Sequence, residues 1–155
     1  MKEDVFCTNA IYDGVYFESN YFIVAYDISP VVEGHSLLIP KRHVVSFIDL
    51  TKDEIQDMLY TLKIIIPKLI SIYGDESISY NLITQVGPFS GMSIPHLHTH
   101  ILPRNKKESE DVNNVYKNIE KVTRLSPEKY KEEVERLRKV FKYKSQDKLP
   151  KKQKM

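Results

Sequence analysis

One long amphipathic segment near the middle of the chain limits the folds that are open to it. Apolar residues recur there at helical spacing, after a Thr51 and Glu54 pair that is typical of a capping box, and the pattern stops at Gly74. Pro67 lies inside the segment and is expected to kink the axis or remove one hydrogen bond. A main helix set between strand-like segments is typical of an α+β protein.

Strand-like segments lie on both sides of this helix. GVYFES and NYFIVAYDIS are rich in aromatic and β-branched residues and are separated by Ser19-Asn20, which predicts a hairpin. HSLLIP predicts a third strand, and Gly34 just before it permits a tight turn. SISYNLITQVG and a histidine-rich segment, joined by the loop GPFSG, predict two further antiparallel strands. We therefore expect an antiparallel sheet of about five strands with a main helix and a C-terminal helix.

The length and charge predict a single domain with a basic tail. A chain of 155 residues encloses one core, and 41% hydrophobic residues suffice to fold it. We divide it into a domain over 1–125, a helical extension over 126–144 that opens with Ser126-Pro127, and a Lys-rich tail over 145–155 that we expect to be disordered. Residues 142–155 carry a local charge of +5 and the rest sums to −3. A mildly acidic body argues against a broad nucleic-acid-binding face.

The cysteine content and the hydropathy argue against a disulfide-stabilised protein, a zinc protein of the C-x-x-C type and a membrane-spanning protein. Cys7 is the single cysteine, so the chain has no internal disulfide and no C-x-x-C pair for zinc. The most apolar stretch, LKIIIPKLISIY, is too short and too interrupted to span a membrane. We expect a cytoplasmic protein with no membrane association and no structural metal.

Three of the five histidines, His96, His98 and His100, alternate within SIPHLHTHILPR. Alternate residues of a β-strand share a face, so the pattern predicts three imidazoles spaced about 6.5–7 Å apart along one surface. One interpretation is a polar, solvated strand face. The other is chemical, because neutral imidazoles act near neutral pH as nucleophiles, bases and hydrogen-bond donors. Three histidines with this alternation favour the chemical interpretation.

The histidine run resembles the signature of the histidine triad (HIT) superfamily over residues 96–102. YDISPVVEGHSLLIPKRHV, residues 26–44, resembles the nucleoside side of the same family, and the order of strands and helix agrees over residues 12–104. HILPR and the C-terminal helix are most similar to the fragile-histidine-triad branch, whose members hydrolyse dinucleoside polyphosphates. Thr99 departs slightly from the apolar pattern between the histidines. The resemblance implies a HIT-like fold.

The resemblance also implies hydrolysis at the α-phosphate of a nucleotide through a covalent nucleotidyl-histidine. It implies that His98 is the nucleophile and that a backbone carbonyl near His96 holds its other ring nitrogen. His35 is expected to support the triad from the neighbouring strand. His100 and Gln85 are expected to donate to non-bridging phosphate oxygens, where charge changes in the transition state.

On the nucleoside side, the resemblance implies that the Asp27 carboxylate accepts hydrogen bonds from both ribose hydroxyls. The alternative is that Asp27 forms an Asp-Ile-Ser-Pro turn. Apolar residues nearby are expected to line the base, and Ser93 is expected near the bridging or leaving-group oxygen. The predicted nucleotide-binding residues are Asp27, Gln85, Ser93, Ile28, Phe22, Ile23 and Met92.

Met92 is the main departure from the family pattern. It stands four residues before the first histidine, where the family commonly carries a Gln that contacts the scissile bridge, and a thioether cannot donate a hydrogen bond. We expect a slower enzyme or a different leaving group. His43 is either part of the family's Pro-Lys/Arg-His element or an ordinary surface histidine.

Several functions remain open on sequence alone. The leading prediction is hydrolysis of diadenosine tri- or tetraphosphate to AMP and the remaining nucleotide. A purine nucleoside phosphoramidase shares the chemistry, and a nucleotide-binding module with little turnover is compatible with Met92. Processing of adenylylated nucleic-acid ends would use the Lys-rich tail, but the acidic body argues against it. We expect a homodimer and no required cofactor, with Mg²⁺ only as a counter-ion of the polyphosphate substrate.

Overall fold

The computed structural model describes residues 4–108, 115, 117, 119 and 124–144. Its main elements there are β1 (Val15–Glu18), β2 (Phe22–Tyr26), β3 (Ser36–Pro40), α1 (Lys52–Tyr73), β4 (Ser79–Thr84), β5 (Thr99–Arg104) and α2 (Pro127–Val140). Short 3-10 helices lie at Val5–Cys7, Asn9–Gly14 and Phe47–Asp49. The predicted α+β class is confirmed. The predicted disorder of the tail, 145–155, concerns residues outside the described part.

The five strands of the described part form one antiparallel sheet in the order β1-β2-β3-β5-β4. The hairpin at Ser19-Asn20 and the antiparallel pair β4 and β5 are both present as predicted. β3 lies in the middle of the sheet and aligns Leu37 with His100 of β5. β3 and the histidine segment therefore meet at the centre of the sheet, although α1 and β4 separate them in the chain.

The two faces of the sheet have different covers. On one, here called the helix face, α1 and α2 pack against a buried core that includes Phe22, Leu38 and Ile101. On the other, here called the N-terminal face, the segments before β1 pack Phe6 against Ile23 and its neighbours. Successive strand residues thus enter different cores, as the alternation of a strand requires.

The capping box predicted for α1 is present. The Thr51 hydroxyl accepts a hydrogen bond from the Glu54 backbone N–H at 3.1 Å, and the Glu54 carboxylate accepts one from the Thr51 N–H at 2.9 Å. Glu54 is buried and also accepts from Arg42 at 2.7 Å, which ties the chain leaving β3 to the start of α1. The helix continues past Pro67 to Tyr73.

The C-terminal helix α2 joins the same core as the sheet. Ser126 caps it by accepting from the Lys129 N–H, and Val134 and Leu137 are buried on the helix face. Tyr130 donates its hydroxyl to the Tyr26 carbonyl at 2.9 Å, and Arg138 donates to the Val15 carbonyl at 2.8 Å. In the described part of the chain, no helix combines the length and the apolar content needed to cross a membrane.

Candidate functional site

The three alternating histidines lie where the chain enters the centre of the sheet. β5 begins at Thr99, so only His100 is a strand residue, whereas the sequence predicted a strand that carries all three. The preceding segment pairs elsewhere, since the Leu97 N–H donates to the Val44 carbonyl at 2.7 Å. Leu97 and Ile101 pack in the helix-face core, so the histidines alternate toward the N-terminal face. All three imidazoles are buried, which contradicts the alternative of a solvated strand face.

His98 makes a hydrogen bond that defines its tautomer. Its Nδ1 lies 2.8 Å from the backbone carbonyl oxygen of His96, and a carbonyl can only accept. Nδ1 therefore carries the proton in the neutral ring, and Nε2 is the unprotonated nitrogen. The rings of Phe6 and His100 stand against it, with centroids at 4.9 Å and 5.1 Å. The arrangement leaves Nε2 with the lone pair that a nucleophilic imidazole requires.

His100 receives a hydrogen bond from His35, which is also buried. The Val31 backbone N–H donates to His35 Nδ1 at 3.1 Å, so the ring proton of neutral His35 is on Nε2. That Nε2 donates to His100 Nδ1 at 2.8 Å, which leaves the His100 proton on its own Nε2. Asp27 lies beside this pair, with its Oδ2 3.4 Å from His35 Nε2. His100 thus presents an N–H donor on the side away from His35.

His96 is anchored at both ring nitrogens. Nε2 lies 2.9 Å from the Pro40 carbonyl oxygen, and Nδ1 lies 3.1 Å from Asp4 Oδ2. The same carboxylate oxygen lies 2.8 Å from His43 Nδ1 and 2.9 Å from the Cys7 sulfur, which donates to it. We call these four residues, Asp4, Cys7, His43 and His96, the Asp4 cluster.

The cluster stabilises the ionised form of Asp4. Partial burial alone would raise the pKa of this carboxyl, but the hydrogen bond from Cys7 and the attraction of His96 and His43 outweigh it and lower the pKa. Asp4 and Cys7 were not identified from the sequence. The available signal was weak, an acidic residue and a thiol three residues apart at the start of the chain.

Among the described residues, two groups of side chains have donor atoms close enough together to hold a metal ion. One is the Asp4 cluster, whose oxygen, sulfur and two imidazole nitrogens lie within 4.8 Å of one another, a donor set that suits four-coordinate zinc. The other is Asp27, His35 and His100. The sequence predicted no metal because it contains no C-x-x-C pair. In the structure, Asp4 Oδ2 lies within 3.1 Å of an atom of each of the other three members of its cluster. In the second group, His35 Nε2 lies 3.4 Å from the Asp27 carboxylate and 2.8 Å from His100 Nδ1.

The predicted nucleoside-side residues divide between the two faces. Ile23 lies on the N-terminal face with Phe6, which contacts His98, and Ile28 is exposed. Phe22 enters the helix-face core, so the structure does not bring it to the histidines. Alternation along β2 predicts that Phe22 and Ile23 face opposite sides of the sheet, but not which of them faces the histidines. Phe6 itself was missed, because a single aromatic residue near the N-terminus has no distinctive pattern.

Three predicted phosphate-side residues, Gln85, Met92 and Ser93, flank the turn before the triad. Gly91 has φ +91°, and a Cβ there would lie 2.7 Å from Gln85 Nε2, so the glycine allows the turn to pack on the Gln85 side chain. Gln85 Oε1 is buried without a hydrogen-bond partner among the described residues. Met92 and Ser93 follow the turn and are half-buried.

Comparisons with known proteins agree with this geometry. Residues 8–107 match the family model described as HIT domain. The bis(5'-adenosyl)-triphosphatase of Saccharomyces cerevisiae is 41% identical over 102 residues, which are 65% of this chain and 46% of the yeast protein. That of Dictyostelium discoideum is 30% identical over 118 residues, 76% of each chain. This chain therefore spans about half the length of its yeast relative.

Solved structures agree in fold. The Caenorhabditis elegans NitFhit protein matches with a TM-score of 0.68 at 27% identity, over 83% of this chain and 27% of that chain. Diadenosine triphosphate hydrolase from Plasmodium falciparum matches with a TM-score of 0.67 at 20% identity, over 84% of this chain and 77% of that one. With a family model that matches most of its length and a buried histidine triad at the centre of this sheet, the chain belongs to the HIT domain family.

Proposed function

We propose that this protein is a nucleotide hydrolase that cleaves dinucleoside polyphosphates at the α-phosphate. The observation that carries the proposal is the hydrogen bond from His98 Nδ1 to the His96 carbonyl, because it makes Nε2 the unprotonated nitrogen of the central histidine. The relatives named bis(5'-adenosyl)-triphosphatase support the same class of substrate.

In the proposed reaction, His98 Nε2 attacks the α-phosphorus. A phosphorus–nitrogen bond forms, the bond to the bridging oxygen breaks, and the departing nucleotide takes that electron pair. Water then attacks the same phosphorus, the phosphorus–nitrogen bond breaks, and a nucleoside monophosphate leaves with release of one proton. Two displacements at a buried imidazole replace one slower direct hydrolysis.

His100 and its neighbours would stabilise the phosphoryl group during both steps. The hydrogen bond from His35 gives His100 an N–H on Nε2, which can donate to a non-bridging oxygen. We propose that Gln85 provides a second donor and that Ser93 reaches the bridging or leaving-group oxygen. Asp27 would bind the ribose hydroxyls, with Ile23, Ile28 and the newly found Phe6 around the base.

Met92 favours a second candidate function, nucleotide binding with little turnover. Its thioether stands where a hydrogen-bond donor to the scissile bridge is expected, so a leaving group would depart with less assistance. A phosphoramidate substrate, whose leaving amine differs, remains an alternative for the same site.

We propose a cytoplasmic homodimer that needs no cofactor and acts on small nucleotides, with Mg²⁺ only on the substrate. Among the described strands, β4 is an edge that pairs only with β5, and it exposes Tyr80 and Leu82. α1 adds exposed Leu59 and Tyr60. An apolar strand edge with apolar helix residues is the kind of surface that a second copy would cover.

The deciding test incubates purified protein and the His98→Ala variant separately with diadenosine triphosphate and with adenosine phosphoramidate. We expect the unchanged protein to release AMP and to gain an adenylyl group by intact mass after an alkaline, denaturing quench that preserves a phosphorus–nitrogen bond. The variant should show neither property. AMP binding without turnover of either substrate would reject the hydrolase in favour of the binding module.

Asp27→Ala tests the nucleoside side of the site, which both functions share, and turnover by the unchanged protein then separates them. For a binding module this variant loses AMP affinity while His98→Ala keeps it. For a hydrolase both variants lose turnover, and only His98→Ala retains the affinity for AMP. The preferred substrate then distinguishes a polyphosphate hydrolase from a phosphoramidase.

A further inference from the structure

Asp4 makes a contact that no part of the proposed reaction uses so far. Its carboxylate lies 3.1 Å from His96 Nδ1, while the opposite ring nitrogen of His96 lies 2.9 Å from the Pro40 carbonyl. The His96 imidazole is completely buried. The ring is therefore held from two sides, by a residue of the N-terminal segment and by the end of β3.

His96 in turn holds the proposed nucleophile through its own backbone. The His96 carbonyl accepts a hydrogen bond from His98 Nδ1 at 2.8 Å. Any displacement of the His96 backbone therefore moves that acceptor. The segment that carries Asp4 also contacts both rings directly, since the centroid of Phe6 lies 5.7 Å from that of His96 and 4.9 Å from that of His98. A shift of this segment would thus reach the nucleophile by two routes.

We propose that Asp4 is a positioning residue for the nucleophile, which it orients through His96. This inference rests on the proposed function, because it concerns the step in which His98 attacks phosphorus. Because the Pro40 carbonyl can only accept, His96 Nε2 carries a proton, and Nδ1 donates to Asp4 when the ring is an imidazolium. An ionised carboxylate favours that form of the ring and makes a stronger hydrogen bond to it than a neutral acceptor does. Productive attack requires placement of the nucleophile to about 0.5 Å, so the support matters to the rate.

The other members of the Asp4 cluster keep the carboxylate in place. His43 Nδ1 and the Cys7 thiol lie 2.8 Å and 2.9 Å from the same Oδ2 that faces His96. An Asn at this position offers one carbonyl oxygen and no charge, and its amide group would face donors if it turned. Asp4→Asn therefore removes the support with almost no change in side-chain volume.

The test compares the full chain with Asp4→Asn and a matched control, Asp75→Asn. Asp75 also accepts several hydrogen bonds, from the Ser77 N–H at 2.9 Å and the Lys106 N–H at 2.8 Å, but it lies outside the site. We expect Asp4→Asn to slow single-turnover adenylylation of His98 about 10- to 100-fold, with KM and AMP affinity within about threefold of normal. Asp75→Asn should leave the rate unchanged. An Asp4→Asn protein with a normal adenylylation rate would overturn the proposal, and so would one in which only KM changes.

Nitrogen NMR of the histidine rings gives a readout that a loss of stability would not move. In the unchanged protein His98 should show a proton on Nδ1, and Asp4→Asn should shift part of the population to the other tautomer. An unchanged tautomer in the variant contradicts the proposal. This measurement needs no substrate, so it tests the positioning role even if the unchanged protein hydrolyses none of the substrates and the proposed function fails.

A final arm separates a direct hydrogen bond from a metal-mediated one. Both proteins are assayed after treatment with a chelator and again after addition of zinc. We expect the defect of Asp4→Asn to persist in chelated protein. A defect that appears only with zinc would mean that an ion bound by the Asp4 cluster, rather than the carboxylate itself, positions His96, and the proposal would be wrong.

Discussion

The two ends of the histidine triad are held in different ways. His100 is a strand residue, and its partner His35 directly precedes the neighbouring strand β3, so ordinary sheet pairing brings the two together. His96 lies before β5 begins, and its partner Asp4 is 92 residues away in a short N-terminal segment. Sheet pairing thus brings the partners together at one end, whereas at the other end His96 lies between the Pro40 carbonyl and the side chain of a distant N-terminal residue.

This difference assigns the two ends different tasks in the proposed reaction. The His100 end provides a donor for phosphate oxygens, and the His96 end fixes the tautomer of the nucleophile between them. Variants at the two ends should therefore both lose activity but differ in their effect on the tautomer of His98.

Removal of the nucleophile should have the largest effect, because it disables the centre that both ends serve. We expect His98→Ala to lower kcat by a factor on the order of 10⁴ or more. The measurement is steady-state release of AMP from diadenosine triphosphate, with AMP affinity as the check on folding. Substantial residual turnover would mean that water attacks phosphorus directly and that neither end positions a nucleophile.

Loss of the support at the strand end should have the next largest effect. His35→Ala leaves His100 Nδ1 without this donor, so the proton of His100 can move between its two nitrogens and the phosphate donor is lost part of the time. We expect kcat to fall about 10- to 100-fold. The tautomer of His98 should stay unchanged by nitrogen NMR, in contrast to Asp4→Asn. A change at His98 would show that the two ends are one coupled unit.

The turn before the triad offers a matched pair of glycines. Gly91→Ala places a Cβ against Gln85, whereas Gly87 has nearly the same φ, +92°, and open space around it. Both variants should lose about 1–2 kcal/mol of folding free energy through backbone strain, measured by urea unfolding. Only Gly91→Ala should also lower kcat/KM, by about tenfold, because Gln85 is displaced from the phosphate side. Equal kinetics in the two variants would remove Gln85 from the proposed site.

The smallest expected effect concerns the segment between β3 and α1, which follows Pro40 and contains His43. Hydrogen bonding from Arg42 lowers the pKa of Glu54 below its ordinary value of 4.5, although burial opposes the shift. The ionised carboxylate therefore stabilises the fold above that ordinary pKa, and the stabilisation is lost as pH falls through the lower pKa of the folded state.

We accordingly expect Glu54→Gln to reduce the free energy of unfolding by about 1–3 kcal/mol at neutral pH. In urea unfolding experiments the difference from the unchanged protein should be constant near neutrality and shrink below about pH 4.5. Glu128→Gln, an exposed residue in the first turn of α2, is the control and should show a much smaller difference. A difference for Glu54→Gln that does not depend on pH would mean that packing, rather than the ion pair with Arg42, holds this connection.

Local sequence signals predicted most of the fold and the strand end of the site. The Thr51 and Glu54 pair predicted the start of α1, Ser126-Pro127 predicted α2, and the alternating histidines indicated a reactive surface. These signals act over a few residues, since capping bonds and strand alternation depend on near neighbours in the chain.

Tertiary structure alone decided the other end of the site. Which of Phe22 and Ile23 faces the histidines depends on the register and orientation of β2, and the start of β5 at Thr99 depends on the pairing of Leu97 with Val44. Asp4 reaches His96 only because the N-terminal segment packs Phe6 on this face of the sheet. The sequence by itself therefore determined the elements and the residue types of the site. Long-range packing determined which side chain contacts His96, because no local pattern records a contact between residues 92 positions apart.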